Sequence, residues 1–372
     1  MTNKPLLFDL SDASCGCTDH ALEELYKALS NDPDDKEGMW REHENLFIRK
    51  HVEDVTKSVG SILSNIQSEL LDWLVSPKIK AQGKRQGLFK ALESWRFSTS
   101  QAKDVLSYLE SKPRDQYSID DWMLVVDLII NKYLSEDVIQ TEAEYLSVKS
   151  VLAGRVQAQI DEASDHKHIF SLVNGLPLSF AETMELSMSP LEEMVIQTAM
   201  ARAAMHITDL GEQTRKRIKS IIIGHEEKIA YRDPKASQWN LQQQLLDEFG
   251  ILNRDWRRVA ITEIGENANQ GFIGYMDPGS KVKRIEAYEG ACPFCKKING
   301  MVFDVVSPDK ENKDGWKEVW LGKTNIGRSA SPRKRIGDEL VDRLESEKWY
   351  PAPGLQHPNC RGRWVSVEDK ES

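Results

Sequence analysis

Two short elements in the C-terminal third of the chain could bind a metal ion. The first holds Cys292 and Cys295 in a C-x-x-C pair, and the second holds His357 and Cys360 in an H-x-x-C pair. Two ligands three positions apart can point at one ion from a tight turn, and three thiolates with one imidazole form a structural zinc ligand set. We therefore predict that these four residues bind a structural zinc ion.

Other interpretations of these cysteines stay open. They could be reduced thiols without a common role, or the C-x-x-C pair could be a redox centre. A redox pair usually lies at a helix N-terminus in a βαβ pattern, and no such pattern surrounds Cys292. Near the N-terminus, Cys15, Cys17 and His20 could supply three further metal ligands. We interpret that stretch as a flexible, reduced segment.

The residues around the candidate ligands predict short strands and long loops. Residues 282–288, 301–306 and 317–321 are β-prone runs separated by Gly, Pro and Asp, whereas residues 340–347 predict a helix. Short strands and loops bury little apolar area, so such a segment needs an internal staple. This need is an independent reason to expect a metal ion there.

The rest of the chain is predicted to be mainly helical. Helices are expected over residues 19–29, 39–75, 89–97, 100–109, 120–133 and 136–163. Ser189 and Glu192 form a capping-box signature that starts a helix ending near residue 210. Gly211 and Gly250 are expected to end helices, and Asn253 to cap the next one. His166 and His168 fall in an irregular stretch and are expected to be solvated.

The helix over residues 39–75 carries an apolar seam. Its members alternate four and three positions apart: Ile48, Val52, Val55, Val59, Ile62 and Ile66. The seam lasts about two and a half heptads, so we expect it to pack within the protein's own helical bundle rather than in an independent coiled coil.

Composition limits the classes of protein that fit. The net charge is -10, which argues against general coating of nucleic acid. Residues 281–372 contain 18 Lys and Arg against 15 Asp and Glu, a net charge of +3, so residues 1–280 carry -13. Five cysteines in 372 residues fit a reducing cytosol. The longest apolar run, residues 122–130, is too short to span a bilayer, so no membrane association is expected.

These patterns predict a mainly α N-terminal helical region with a smaller α+β, loop-rich, zinc-stapled C-terminal module. We predict an N-terminal arm over residues 1–38, a helical domain over residues 39–188 and a C-terminal domain over residues 189–372. In the last domain, helices over residues 189–271 precede the zinc-stapled module over residues 272–372. No Gly-rich phosphate loop, G-x-S-x-G or H-E-x-x-H motif occurs, which argues against an enzyme.

Three pieces of the chain carry a family resemblance. The first runs from residue 260 to residue 271 and contains Thr262, Glu263, Asn269 and Gly271; the second is the cysteine pair followed by Asn-Gly. The third is Pro-Ala-Pro leading into the His-Pro-Asn-Cys-Arg element at residues 357–361. Over about residues 253–365 the chain resembles the phage Mu F-type minor head proteins, the phage head-morphogenesis family.

The resemblance implies roles for particular residues. Structural roles are implied for Arg258, Thr262, Glu263, Asn269, Gly271 and Arg361. Two positions depart from the family pattern: Ile261 replaces the usual arginine, and Gly362 stands where a second cysteine or a small polar residue is common. Neither departure affects the four candidate metal ligands. The resemblance also implies that residues 189–372 form the head-morphogenesis domain.

The resemblance further implies a function. The protein would be a virion or procapsid component of a phage or prophage, assembled in the host cytoplasm. Its partners would be the portal and other head proteins, with the seam and the helix after Ser189 as contact surface. Weak, non-specific DNA contacts could come from Arg333, Lys334, Arg335 and Arg363. A structural rather than catalytic role is expected. The alternatives are a phage-encoded nuclease, a toxin-type ADP-ribosyltransferase, or a zinc-containing nucleic-acid-binding protein.

Overall fold

The structure is a computed structural model. It describes residues 46–75, 82–159, 171–172, 174–183, 186–286, 291–325, 327–358 and 360–367. Several predictions fall outside these residues: the N-terminal arm with its helix over residues 19–29, and the residues Cys15, Cys17, His20, His166 and His168.

Helices dominate the described part of the chain, as the sequence predicts. The described residues contain nine α-helices, which are α1 (Leu46–Val75), α2 (Gln82–Ser94), α3 (Thr99–Ser111), α4 (Ile119–Tyr133), α5 (Glu136–Gln159), α6 (Phe180–Thr183), α7 (Pro190–Ala230), α8 (Gln238–Tyr275) and α9 (Pro293–Ile298). None of the described helices combines the length and the apolar character needed to cross a membrane.

Local capping chemistry starts two of these helices. The predicted box before α7 is present, because the Glu192 amide donates to the Ser189 hydroxyl and the Ser189 amide donates to the Glu192 carboxylate. The helix expected from residue 120 begins one residue earlier, as α4 at Ile119. Ser118 is the cap, and it exchanges the same two hydrogen bonds with Asp121. Either pairing satisfies amides that would otherwise lack partners at a helix start.

Two predicted helix ends are wrong for a common reason. Gly211 lies inside α7 and Gly250 lies inside α8, and both helices continue without interruption. The Asn253 side chain donates to the Phe249 carbonyl within α8 and does not cap a new helix. A glycine inside a helix costs only about 1 kcal/mol relative to alanine, and the packing of these long helices outweighs that cost.

The predicted apolar seam of α1 is buried. Ile48, Val55, Val59 and Ile66 have at most 1% of their surface exposed. This burial confirms the prediction that the seam packs inside the protein, and it removes the seam as a contact surface. Ile62 is half-buried, and the neighbouring Leu63 is fully buried in its place.

Contacts between residues divide the described chain into two units. Unit 1 takes the described residues of Met1–Glu53, Leu146–Ala199 and Val259–Ser372, and unit 2 takes Asp54–Tyr145 and Met200–Arg258. Each unit is assembled from segments that are distant in sequence. The division into consecutive domains at residues 38 and 188 stays a prediction.

Unit 2 is held by apolar packing, and it contains buried polar groups that are hydrogen-bonded. Tyr117 packs against Trp122 and Trp73, with ring centroids 5.0 and 6.5 Å apart. Glu69 Oε2 accepts hydrogen bonds of 2.6 Å from Lys132 and Tyr133. These bonds pair the buried charge of Glu69, as burial of a carboxylate requires.

Unit 1 contains a four-stranded mixed sheet with the order β3-β2-β1-β6. Its strands are β1 (Lys281–Ile285), β2 (Val302–Val305), β3 (Glu318–Val319) and β6 (Arg363–Ser366). β1 pairs antiparallel with both β2 and β6, and β2 pairs parallel with β3. β2 and β3 fall within the predicted β-prone runs, β1 begins one residue before the first run, and β6 is additional. The apolar core of the sheet includes Phe303 and Trp364, whose rings meet edge to face at 5.4 Å.

The predicted helix over residues 340–347 is wrong. Those residues belong to a hairpin of β4 (Arg333–Ile336) and β5 (Glu339–Asp342), followed by a single 3₁₀ turn at Glu345–Glu347. The two-residue loop explains the difference. Gly337 has a φ of +61°, which suits the first position of a type II′ hairpin turn.

Glycines allow α5 and α8 to cross at backbone contact within unit 1. A Cβ built on Gly271 would stand 2.1 Å from the Val151 carbonyl oxygen, and one on Gly154 would stand 1.8 Å from the Ala268 carbonyl oxygen. No side chain fits at either position without movement of the helices. The crossing therefore fixes the C-terminal part of α8, which carries most of the residues that implied the family.

Candidate metal centre

The four predicted ligands come from two short segments of unit 1. Cys292 is the N-cap residue of α9, Pro293 occupies the first helical position, and Cys295 lies in the first turn. His357 and Cys360 lie in a segment of bends and turns that leads into β6, and the Cys360 amide donates to the His357 carbonyl at 3.2 Å. Because β1 and β6 are neighbours in the sheet, the segments that follow β1 and precede β6 are brought together. All four side chains are buried.

Three distances between the ligand atoms suit one tetrahedral ion. Cys292 Sγ and Cys295 Sγ are each 3.3 Å from His357 Nε2, and Cys295 Sγ is 3.7 Å from Cys360 Sγ. Bonds of about 2.3 Å to sulfur and about 2.0 Å to nitrogen, at tetrahedral angles, separate ligand atoms by about 3.5–3.8 Å. The Cys292, Cys295, His357 and Cys360 cluster could therefore hold a metal ion.

The cluster consists of two overlapping sets of ligand atoms. Cys292, Cys295 and His357 lie within 4.8 Å of one another, and so do Glu286, Cys295 and Cys360. Cys295 belongs to both sets. Glu286, which follows β1, was not among the predicted ligands, and its Oε1 lies 3.8 Å from Cys360 Sγ.

The orientation of the histidine ring presents the correct nitrogen. His357 Nδ1 lies 2.8 Å from the Pro358 carbonyl oxygen and donates to it, which leaves Nε2 facing the sulfur atoms. The Trp349 ring stacks on the imidazole at 5.8 Å with an interplanar angle of 13°. Phe294 meets Trp349 edge to face at 5.5 Å. These rings fix the imidazole plane.

Electrostatics favours the anionic thiolate at two of the three cysteines. A hydrogen bond from Cys295 lowers the pKa of Cys292 to about 3, although burial opposes the shift. The same kind of bond from Cys295 lowers the pKa of Cys360, and these two interactions raise the pKa of Cys295. Burial lowers the pKa of His357, but its bond with Cys292 and the charge of Cys360 raise it more, to about 10. A metal ion bound by these atoms would replace the protons of Cys295 and of His357 Nε2.

A fully buried arginine completes the surroundings. Arg284 Nε donates to Glu286 Oε1 at 2.9 Å, and Arg284 Nη2 lies 3.6 Å from Cys360 Sγ. Its guanidinium lies 5.2 Å from the centroid of the Trp364 ring. Burial raises the pKa of Glu286 to about 7, with a further increase from the charge of Cys360 and an opposing effect of Arg284.

The C-terminal part of α8 is bonded to the segment that carries the ligands. The Asn269 side chain donates to the Gly362 carbonyl at 2.9 Å. Glu266 accepts a hydrogen bond from the Leu355 amide, and Gly265 lies against the Leu355 side chain. These contacts give Asn269 a structural role, and they hold the C-terminal part of α8 against the segment that carries His357 and Cys360.

The other residues implied by the resemblance lie in α8, except Arg361, which lies in the segment before β6. Glu263 and Arg361 are buried, whereas Arg258 and Thr262 are half-buried. Gly271 serves the crossing of α5 and α8. The departure at Gly362 also has a physical reason, because a Cβ there would stand 1.9 Å from Glu286 Oε1.

The predicted phosphate contacts lie elsewhere in unit 1. On the hairpin, Arg333 is paired with Asp342 at 3.1 Å, and Lys334 is paired with Glu347. Arg335 is exposed, and Arg363 is half-buried in β6. The ion pairs already use two of the three predicted cations on the hairpin, which lowers the positive potential that the hairpin offers to phosphate.

Sequence reasoning missed Glu286, Arg284 and Trp349. An Arg-x-Glu pair at the end of a β-prone run is a weak signal, because alternate residues of a strand face the same side. Only the pairing of β1 with β6 shows that this side faces the cysteines. Comparison of the chain with protein-family models, with curated proteins and with solved structures finds no match.

Proposed function

We propose that this chain is a minor head protein of a phage or prophage, a procapsid component that acts beside the portal in head assembly and in DNA packaging or ejection. The observation that carries the proposal is the element at residues 357–361. It resembles the most specific motif of the phage head-morphogenesis family, and its histidine and cysteine complete a buried cluster with Cys292 and Cys295.

In this proposal the cluster holds one zinc ion with a structural role. Three sulfurs and one imidazole nitrogen are a zinc ligand set, and four protein ligands leave no position for water or substrate. The ion would join the turn after β1 to the segment before β6. The protein would therefore act by binding partners and not by catalysis.

Unit 2, which is helical, is proposed to carry the docking surface for the portal. Two large aromatic side chains near the turn between α7 and α8 are exposed, Tyr231 at 85% and Trp239 at 68%. Tyrosine and tryptophan are enriched in protein interfaces. The acidic charge of residues 1–280 opposes contact with DNA and suits contact with protein.

This surface replaces the one expected from sequence. The seam of α1 is buried, and so are Ala199 and Ala203 of α7. Any DNA contact by the hairpin in unit 1 would be weak and non-specific, since Arg333 and Lys334 are already paired.

The metal part of the proposal is tested by analysis of the full-length protein. After exhaustive dialysis we expect about one zinc per chain, and loss of that metal in Cys360→Ser. A metal-free wild type with a protease-resistant C-terminal third would contradict the proposal.

The partner part is tested by co-expression with the portal protein of the same genome. The complex should survive moderate salt, and Tyr231→Ala with Trp239→Ala should weaken it by at least about tenfold, as expected of aromatic interface residues. Leu340→Ala, at an exposed apolar site of the hairpin, is the matched control. Binding that needs DNA and disappears with salt would instead support the nucleic-acid-binding alternative. Portal and large terminase genes beside this gene would support the head-protein assignment.

A further inference from the structure

Arg284 occupies an unusual place for an arginine. Its side chain has no exposed surface, and its guanidinium reaches three acceptors at once. Nε donates to Glu286 Oε1 at 2.9 Å, Nη1 donates to the Gly354 carbonyl at 3.3 Å, and Nη2 lies 3.6 Å from Cys360 Sγ. Only the rigid fork of a guanidinium can bridge such a set, because the lysine ammonium is a single point of charge.

The acceptors around Arg284 include a potential second set of metal ligands. Glu286, Cys295 and Cys360 offer a carboxylate oxygen and two sulfurs within 4.8 Å of one another. Carboxylates and thiolates both bind zinc. On distance alone, Glu286 could therefore compete with His357 or Cys292 for the ion, or help to bind a second ion.

We propose that Arg284 is the permanent cation of the Glu286 and Cys360 pair, and that it keeps Glu286 from becoming a metal ligand so that the cluster takes one ion. This inference rests on the proposed zinc site. The guanidinium stands where a second cation would otherwise bind. Arg284 is a positioning residue, because it acts on the ion by holding Glu286 away from it.

The charges of the buried site explain why a cation is needed. A divalent ion with three thiolates carries one net negative charge, and Glu286 adds a second in a region without access to water. An unpaired buried carboxylate is costly, whereas one with a hydrogen-bonded partner is tolerated. Arg284 supplies that partner and also donates toward a ligand sulfur, as outer-shell groups of metal sites do.

The backbone at position 362 and the Trp364 ring leave space for the Arg284 and Glu286 side chains. A Cβ on Gly362 would stand 1.9 Å from Glu286 Oε1 and 2.4 Å from Arg284 Nη2. The Trp364 ring covers the guanidinium at 5.2 Å. Glycine at position 362 is therefore needed for Arg284 and Glu286 to lie side by side.

A double-mutant cycle on the full-length protein tests the inference. The variants are Arg284→Met, Glu286→Gln and the two combined, with Arg333→Met as a control that removes an exposed, ion-paired arginine. Co²⁺ replaces zinc as the probe, because its thiolate charge-transfer absorbance reports how many sulfurs bind. The wild type should bind one Co²⁺ through three sulfurs. A wild type that binds none refutes the zinc site and with it this inference, whereas failure of the inference alone shows only in the variants.

Arg284→Met should weaken Co²⁺ binding by roughly 10–100-fold and change the spectrum or the number of ions bound, because Glu286 becomes available. In the Glu286→Gln background, the same substitution should have little effect, since no carboxylate remains to be paired. Arg333→Met should match the wild type.

The decisive comparison is between Glu286→Gln and the combined variant, which remains informative if Arg284→Met alone does not fold. Equal affinity and equal spectra support the proposal. If the combined variant fails to fold, or loses Co²⁺ affinity relative to Glu286→Gln, Arg284 serves the site independently of Glu286 and the proposal is overturned. An Arg284→Met protein that binds one Co²⁺ with wild-type affinity and spectrum overturns it as well.

Discussion

Substitution of Gly271 by alanine should separate the two helices that cross in unit 1. The added Cβ would stand 2.1 Å from the Val151 carbonyl oxygen, and ordinary contact begins at 3.4 Å. The backbones of α5 and α8 must therefore move apart by about 1.3 Å, the difference between these distances. Because the obstructing atoms belong to backbone, no change of side-chain rotamer relieves the overlap.

The expected loss of stability follows from two opposing effects. Overpacking costs about 1–3 kcal/mol, while replacement of a helical glycine by alanine returns up to about 1 kcal/mol. The net loss should be about 1–2 kcal/mol. For a unit of about 150–250 residues this corresponds to a fall in Tm of about 2–8 °C.

Gly250→Ala is the matched control, because it makes the same substitution in the same helix. Gly250 is exposed, and a Cβ there meets nothing within 4 Å. This variant should gain up to about 1 kcal/mol from helix propensity alone. Thermal unfolding of both variants and the wild type, followed by far-ultraviolet circular dichroism, should therefore give shifts of opposite sign.

Two results would refute this reasoning. A Gly271→Ala protein that melts at or above the wild-type temperature would mean that the helices do not approach as closely as the structure describes. An equal fall in Tm for Gly250→Ala would mean that alanine disturbs α8 generally and that the crossing is not the cause.

Three further predictions concern the metal centre and buried polar groups. Removal of the ion by a chelator should destabilise the C-terminal module by about 4 kcal/mol relative to protein with free zinc at 1,000 times its Kd, and Cys360→Ser should abolish that difference in Tm. Asn269→Ala should cost about 1–3 kcal/mol, because it leaves the buried Gly362 carbonyl without its donor; an unchanged urea midpoint would count against the bond. Burial raises the pKa of Asp121, but hydrogen bonds led by Lys112 lower it more, to about 2. Its ionised form therefore stabilises the fold above about pH 4, and this contribution is lost as the pH falls toward 2. The difference in urea midpoint between the wild type and Asp121→Asn should accordingly shrink from pH 7 to about pH 3, and a constant difference would contradict the assignment.

Features set by a few neighbouring residues could be predicted from the sequence. The capping box of Ser189 and Glu192 needs only those two side chains and the backbone between them. The four candidate ligands were also predictable, because one C-x-x-C pair and one H-x-x-C pair in an otherwise cysteine-poor chain restrict the choice. Long-range pairing was still required to bring the two halves of the cluster together.

Features decided by distant contacts could not be predicted. Gly211 and Gly250 have the local signature of helix ends, yet α7 and α8 continue through them because packing of the long helices outweighs the cost of a glycine. The pairing of β6 with β1, the strand that carries Arg284, joins residues about eighty positions apart in the sequence. No window of local sequence contains that pairing.

Because the candidate metal centre depends on the pairing of β1 with β6, it can assemble only late in the synthesis of this part of the chain. Ile285 pairs with Arg363, and β6 ends at Ser366, which is 81 residues after Ile285. At about 5–20 residues per second, the ribosome needs roughly 4–16 s to make the intervening chain. For most of that interval, from the synthesis of Cys295 until that of His357, the first two ligands exist and the last two do not. The nascent chain therefore passes through a stage in which its first two sulfurs can bind metal or be oxidised before the rest of their site exists.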